Sequence, residues 1–294
     1  MGERRGGVRG GPGGWSVRVA AGEDRGAWRA AVARLEEGPG PGAALIKAEE
    51  SARVWAGPVR LGAGTRDVVV KRWAGRGPLD RLKVIIGLGQ LSRQWRGAAW
   101  LAGHGFAAAR PLALATRRWS GPAMQVLVME RVPGPTVLAW HARARRRGAR
   151  RLGVARALGA LAARMAVAGR WNRDFKPSNL VLEGGQAGAP RIVQLDTVAI
   201  RRTRARDHAL ERMLASLVIE PTGTGHPPGR NVCLAAVLAA ARALDPGAPP
   251  ERGRAAARRL WRRVARRVEA HGDPRPAVDP LGWDDQQRRR AAAE

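Results

Sequence analysis

Between Trp171 and Leu182 the chain reads WNRDFKPSNLVL, and three of its side chains could handle a phosphate: Asp174, Lys176 two residues later and Asn179 five residues later. An apolar run, Leu180 to Leu182, follows and reads as a strand. Fourteen residues beyond it, the segment RIVQLDTVAI carries Asp196 in its middle. Two carboxylates, an amide oxygen and an ammonium form a set that could accept a proton, hold a hard divalent cation and offset negative charge. Phosphoryl transfer asks for little more, because the protein mainly holds metal, phosphates and attacking hydroxyl in line. The same Asn, Pro and Ser also favour a plain polar turn between a helix and a strand. The spacing from Asp174 to Asn179, followed by a hairpin that returns Asp196, is more than such a turn requires.

The elements that must position these residues start at the N-terminus. Residues 1–14, MGERRGGVRGGPGG, are expected to form a disordered leader. A short amphipathic helix is predicted from Arg25 to Glu36, ended by GPGPG at 38–42. ALIKAEE (43–49), ARVWAGPV (52–59) and RDVVVKRW (66–73) then read as an antiparallel meander. One helix is predicted over 79–102, and AMQVLVMERVPG (123–134) reads as a buried strand ending in a Pro and Gly connection. Helices are predicted over 136–148 and 150–168, the second leading into the Asp174 loop. EGGQAGAP (183–190) makes a hairpin turn. Helical sequence follows at 204–219, 231–244 and 251–270, with a Pro and Gly loop at 221–229.

With these elements in place, NRDFKPSN resembles the catalytic loop of the protein-kinase-like fold. The resemblance implies an α+β, two-lobed architecture: a small antiparallel-β lobe with one helix, and a larger, mainly helical lobe. It also implies roles: Asp174 as base, Lys176 as charge neutraliser, Asn179 and Asp196 as magnesium ligands, and Lys71 as the anchor of the ATP α and β phosphates. Backbone groups from Glu130 to Val132 would meet an adenine edge at the hinge. Lys71 closes RDVVVKRW and is one of only four Lys among 53 basic residues. Where Arg is the default cation, a retained Lys suggests a need for a compact ammonium, although an edge-strand Lys that discourages aggregation is the plain alternative.

Several family features are absent. Asn172 stands where the family usually has a His that orders the loop, and no Glu occurs from Leu82 to Ala102 to pair with Lys71, Gln94 being the nearest polar residue. EES at 49–51 replaces a glycine-rich phosphate loop, Asp196-Thr197-Val198 replaces Asp-Phe-Gly, and there is no Ala-Pro-Glu. VVVKRW, SRQWRGAAWLAGHGFAAARPLAL, NRDFKPSNLVL and the terse LDTVAI together look like the bacterial lipopolysaccharide-core kinases, which phosphorylate heptose or Kdo sugars. That resemblance spans about residues 43–220 and implies transfer from MgATP to a sugar hydroxyl of an anionic glycolipid. Alternatives on the same scaffold are a protein or small-molecule kinase, or a pseudokinase binding module. The domain reading is a basic leader and short helix (1–42), small lobe (43–130), large lobe (131–274) and polar tail (275–294).

Composition bounds these readings. The 294 residues are 45% hydrophobic, enough for a sizeable core, and carry a net charge of +29 that attracts phosphorylated or otherwise anionic partners. Enrichment in Arg, Ala and Gly, with no Tyr and two Phe, also looks like a bias toward GC-rich codons. The lone Cys233 excludes an internal disulfide and sits in an apolar helical pattern; the five His show no metal-ligand spacing. No apolar run reaches the roughly 18–20 residues that span a bilayer, and Arg and Gly stand where a signal peptide has its apolar core. The expectation is a cytoplasmic protein, with peripheral contact at the inner membrane face left open. The basic helix at 251–270, apolar at Leu260, Trp261, Val264 and Val268, either packs on the domain or lies against anionic lipid. Eleven dispersed Trp without a nucleic-acid motif argue against a nucleic-acid partner.

Overall fold

Alternation along two strands sets the first sheet. In RDVVVKRW, Val68 and Val70 are fully buried in one apolar cluster, and Val126 and Val128 of MQVLVME join them. Successive residues point to opposite faces, so Lys71, Leu127 and Met129 belong to the other side. The structure, a computed structural model, describes residues 14–272 apart from 37, 39, 41, 63, 118–120, 144–147 and 184–189. Most of the expected leader, most of the EGGQAGAP turn and the polar tail lie outside them. The chain divides into two compact units, with the boundary between Arg131 and Val132.

The first unit contains β1 (Trp15–Val19), α1 (Arg25–Arg34), β2 (Ala44–Ala48), β3 (Ala52–Leu61), β4 (Gly64–Ala74), α2 (Pro78–Ile85), α3 (Gln90–Gly103), β5 (Pro111–Arg117) and β6 (Met124–Glu130). Its six strands run in the order β1-β5-β6-β4-β3-β2, every neighbouring pair antiparallel. Helix α1 covers one face, placing Trp28, Ala31 and Val32 against the valines. Trp28 is 1% exposed, and truncating a Trp buried this way costs about 3–5 kcal/mol. Asp24 caps α1, accepting from the amides of Gly26 (2.7 Å) and Ala27 (3.2 Å).

Strand β1 was not anticipated. It pairs with β5, so sequence next to the leader is part of the small sheet. Glu23 ties this segment down: it accepts from Trp28 Nε1 (3.1 Å) and Arg66 (2.9 Å) and lies 3.2 Å from Arg110. Desolvation pushes its carboxyl up, but Trp28, Arg66 and Arg110 outweigh this and hold it below the usual carboxylate range.

Helix α3 covers the opposite face with Leu91, Trp95, Ala98 and Leu101 buried. The single helix predicted over 79–102 is two, broken at Gly87-Leu88-Gly89. Gly87 takes φ +75°, a conformation that opposes helix continuation, and Gln125 supplies the physical reason for a new start. Its fully buried side chain accepts from the Leu91 amide (3.1 Å) and donates to Ser92 Oγ (2.7 Å), capping α3 from a neighbouring strand.

The second unit contains α4 (Val137–Arg143), α5 (Gly148–Val167), β7 (Arg170–Asn172), a 3-10 turn (Pro177–Asn179), β8 (Leu180–Glu183), β9 (Arg191–Gln194), β10 (Ile200–Arg202), α6 (Arg206–Gly223), α7 (Arg230–Leu244) and α8 (Pro250–His271). Helix α5 is its centre, with Val154, Leu158, Leu161, Ala162 and Met165 buried. Gly159 lets α7 approach closely: a Cβ there would stand 1.9 Å from the Ala236 carbonyl oxygen. Helix α6 extends one turn further than its sequence suggests, through Pro221, where Thr222 Oγ1 donates to the Val218 carbonyl (2.7 Å). Two antiparallel pairs, β7 with β10 and β8 with β9, bracket the Asp174 loop. Among the described residues no helix is long and apolar enough to cross a membrane.

Candidate active site

The predicted site residues fall in both units. In the second, Arg170–Asn172 enters the loop as a strand, and Pro177, which cannot donate to a ladder, opens the 3-10 turn that sets Asn179 before β8. Asn172 organises the rest. It is 1% exposed, and its Nδ2 donates to Gln194 Oε1 (3.2 Å) and to the Asp196 carbonyl (3.0 Å), while its Oδ1 accepts from the Asp174 amide (3.0 Å). One neutral amide therefore ties together the two segments that carry the aspartates.

Asn179 closes the loop on itself. Its Nδ2 donates to the Asp174 carbonyl (3.1 Å), and its own carbonyl accepts from the Leu195 amide (2.9 Å) beside Asp196. With Nδ2 engaged, Asn179 Oδ1 remains as an oxygen donor to a cation. Asp196 Oδ1 accepts from the Val198 amide (3.0 Å), an Asx turn that fixes the carboxylate at the end of β9. The structure thus brings Asp174, Asn179 and Asp196 into one hydrogen-bonded assembly. Among the described residues the Asp174 carboxylate has no hydrogen-bond partner. Lys176 is exposed on the same loop.

Sequence reasoning missed Glu220. This buried carboxylate on α6 accepts from the Ser178 amide (2.9 Å) and hydroxyl (2.6 Å), anchoring the turn that sets Asn179. The signal that could have found it is an acid within an apolar helical stretch, LVIEP, of a chain with only 24 acidic residues. Gln194, fully buried on β9, was missed as well.

In the first unit Lys71 sits on β4 with its Nζ donating to Gln94 Oε1 on α3 (3.2 Å). Gln94 is 1% exposed and is fixed in turn by Nε2 against Met129 Sδ (3.2 Å). Gln94 thus lends Lys71 an uncharged acceptor. Glu130 ends β6 with its side chain exposed and its amide donating to the Arg110 carbonyl (2.9 Å). That amide already has a partner, so an adenine edge would have to use other backbone groups of this stretch. Val132 opens the second unit.

The donor chemistry fits the expected cofactor. Asn179 Oδ1 and the Asp196 carboxylate offer hard oxygens of the kind magnesium accepts, and magnesium commonly takes one or two such groups and fills its remaining positions with phosphates and water.

Comparison of the sequence with protein-family models gives no match, and comparison with curated proteins gives none either. Among solved structures, that of WaaP in complex with acyl carrier protein is similar, with a TM-score of 0.54 and 17% identity over 77% of this chain and 87% of that one. The fold is protein-kinase-like. In protein-kinase-like terms the six-stranded unit is the small lobe and the helical unit the large lobe.

Proposed function

We propose that this protein is an ATP-dependent phosphotransferase that moves the γ-phosphoryl group of MgATP to a sugar hydroxyl of a lipopolysaccharide-like glycolipid. The observation that carries the reading is the assembly in which Asn172 and Asn179 tie Asp174 and Asp196 together, leaving the Asp174 carboxylate and Asn179 Oδ1 available. Asp174 takes the proton of the acceptor hydroxyl as its oxygen bonds to the γ-phosphorus. The bond from that phosphorus to the bridging oxygen breaks, and ADP leaves with the electron pair. Lys176 offsets charge on the transferred group, and Lys71, oriented by Gln94, holds the α and β phosphates. Asn179 and Asp196 would hold magnesium, which when bound neutralises phosphate charge. The sugar acceptor is supported by the lipopolysaccharide-core kinase resemblance of the sequence, and the kinase chemistry by the fold and the loop.

The test is transfer of labelled γ-phosphate to bacterial glycolipid, heptose, Kdo and a mixed protein sample, comparing wild type with Asp174→Asn. Loss of the general base is expected to lower the rate by about 10²–10⁴-fold. Label on protein alone would turn the assignment to a protein kinase. ATP binding without transfer to any acceptor would turn it to a pseudokinase, the reading favoured by an uncharged Gln94 beside Lys71.

A further inference from the structure

The arginine face of α8 has no part in the machinery above. Its apolar side packs on the helical unit, with Ala257, Leu260 and Val264 buried. Its polar side is not simply spread in solvent. Arg263 and Arg267 reach Asp207 and Glu211 of α6, and with the exposed Arg266, Arg212 of α6, and Arg173 and Lys176 of the Asp174 loop they line a groove of about 680 Å³.

Six cations share this groove with two lining carboxylates, both already engaged, and Asp207, outside the lining, pairs with Arg263 at 3.2 Å. Glu211 accepts from Arg267 Nε at 2.5 Å, with Arg263 Nε 3.9 Å away; Glu220 holds Ser178. Arg212 lies over the Trp171 ring, 4.8 Å from its centroid. Among the described residues, Arg173, Lys176 and Arg266 have no carboxylate partner. A concave site with this excess of donors suits a multiply charged oxyanion, since Arg recognises phosphate oxygens through its planar fork. The volume lies in the small-molecule range and suits a charged saccharide better than a flat bilayer. Lys176 belongs to both groove and catalytic loop, so an anion held here lies beside the segment that carries Asp174.

We propose that this groove is the acceptor subsite and that it binds a phosphate already present on the acceptor saccharide. The assignment rests on the phosphotransferase reading. It also gives the enzyme a place in a reaction sequence: a separate phosphoryl transfer to the saccharide must come first.

Binding of a delipidated, phosphorylated core oligosaccharide, and of the same oligosaccharide after phosphatase treatment, would be measured calorimetrically without nucleotide in about 0.15 M salt, where diffuse attraction is screened. Wild type is expected to prefer the phosphorylated form by about tenfold or more. Arg266→Glu should abolish that preference. Arg258→Glu makes the same charge change at an exposed position outside the groove and should retain it. Equal binding of the two oligosaccharides by wild type would overturn the proposal. So would an equal loss in both variants, or binding confined to phosphatidylglycerol vesicles. Asp174→Asn should lose transfer while keeping the oligosaccharide preference. If wild type transfers nothing, the phosphotransferase reading fails while the binding ratio still decides what the groove holds.

Discussion

Asn172 and Gln94 are amides at two positions where the kinase pattern has ionisable groups, and the substitution changes what pH can do to the site. An amide offers a donor and an acceptor in fixed directions and does not titrate near neutrality. The loop held by Asn172 therefore keeps its order over a range in which a His would change charge. Gln94 does less for Lys71 than a carboxylate would, because an ammonium–amide hydrogen bond is charge-assisted from one side only and lacks the attraction of an ion pair. Gln94→Leu is accordingly expected to raise the KM for ATP about fivefold, and Lys71→Ala by well over tenfold, both read from steady-state kinetics. If the two variants weaken ATP equally, Gln94 has a larger part than positioning.

Elements reach the site through single side chains. Glu220 links α6 to the turn at Ser178, 42 residues away in sequence. Glu220→Ala would leave the Ser178 amide and hydroxyl without that partner, with an expected stability loss of about 1–3 kcal/mol in urea denaturation. It should also lower kcat more than it changes ATP affinity, because the turn it holds carries Asn179 in the large lobe. Glu220→Gln, which keeps an acceptor oxygen, should recover part of both losses.

The same long reach explains what the sequence could show and what it could not. Strands β3, β4 and β6 were legible because β-favouring apolar runs bounded by turn residues are local features. The grouping of Asp174, Asn179 and Asp196 could be suspected from their spacing, and the structure joins the segments that carry them through Asn172 and Asn179. The break between α2 and α3 was hidden because its cap, Gln125, comes from a strand 34 residues beyond Leu91. In β1 the alternation of Trp15, Val17 and Val19 was present in the sequence, but five residues beside a glycine-rich leader were too short a run to stand out. Glu220 could not be paired with Ser178 before α6 was seen to extend through Pro221.

For the whole molecule, the charge of +29 has a local structural use as well as a long-range one. Arginines spread over both units attract anions at distance and are screened beyond about 8 Å in physiological salt. Those gathered between α6 and α8 act at contact. Nucleotide binding should be visible in global stability even before an acceptor is known. MgATP at about a hundred times its dissociation constant is expected to add about 2.7 kcal/mol. Thermal unfolding with and without MgATP checks this; Lys71→Ala should lose most of the gain, and no shift in wild type would remove the nucleotide site from the account.

Strand β1 lies opposite β5, Trp15 across from Arg117 and Val19 across from Ala113. On the ribosome its partner does not exist until about a hundred residues later, a wait of about 5–20 s at ordinary elongation rates. The β3–β4 hairpin, whose strands adjoin in sequence, can close during that interval, whereas Trp15 and Trp28 have no sheet to enter. Arginines at positions 18, 25, 29 and 34 stand beside this apolar stretch, the placement in which gatekeeper charges disfavour aggregation. The sheet that buries Trp15 is thus completed from both ends of the small lobe, the late strand supplying the partner for the early one.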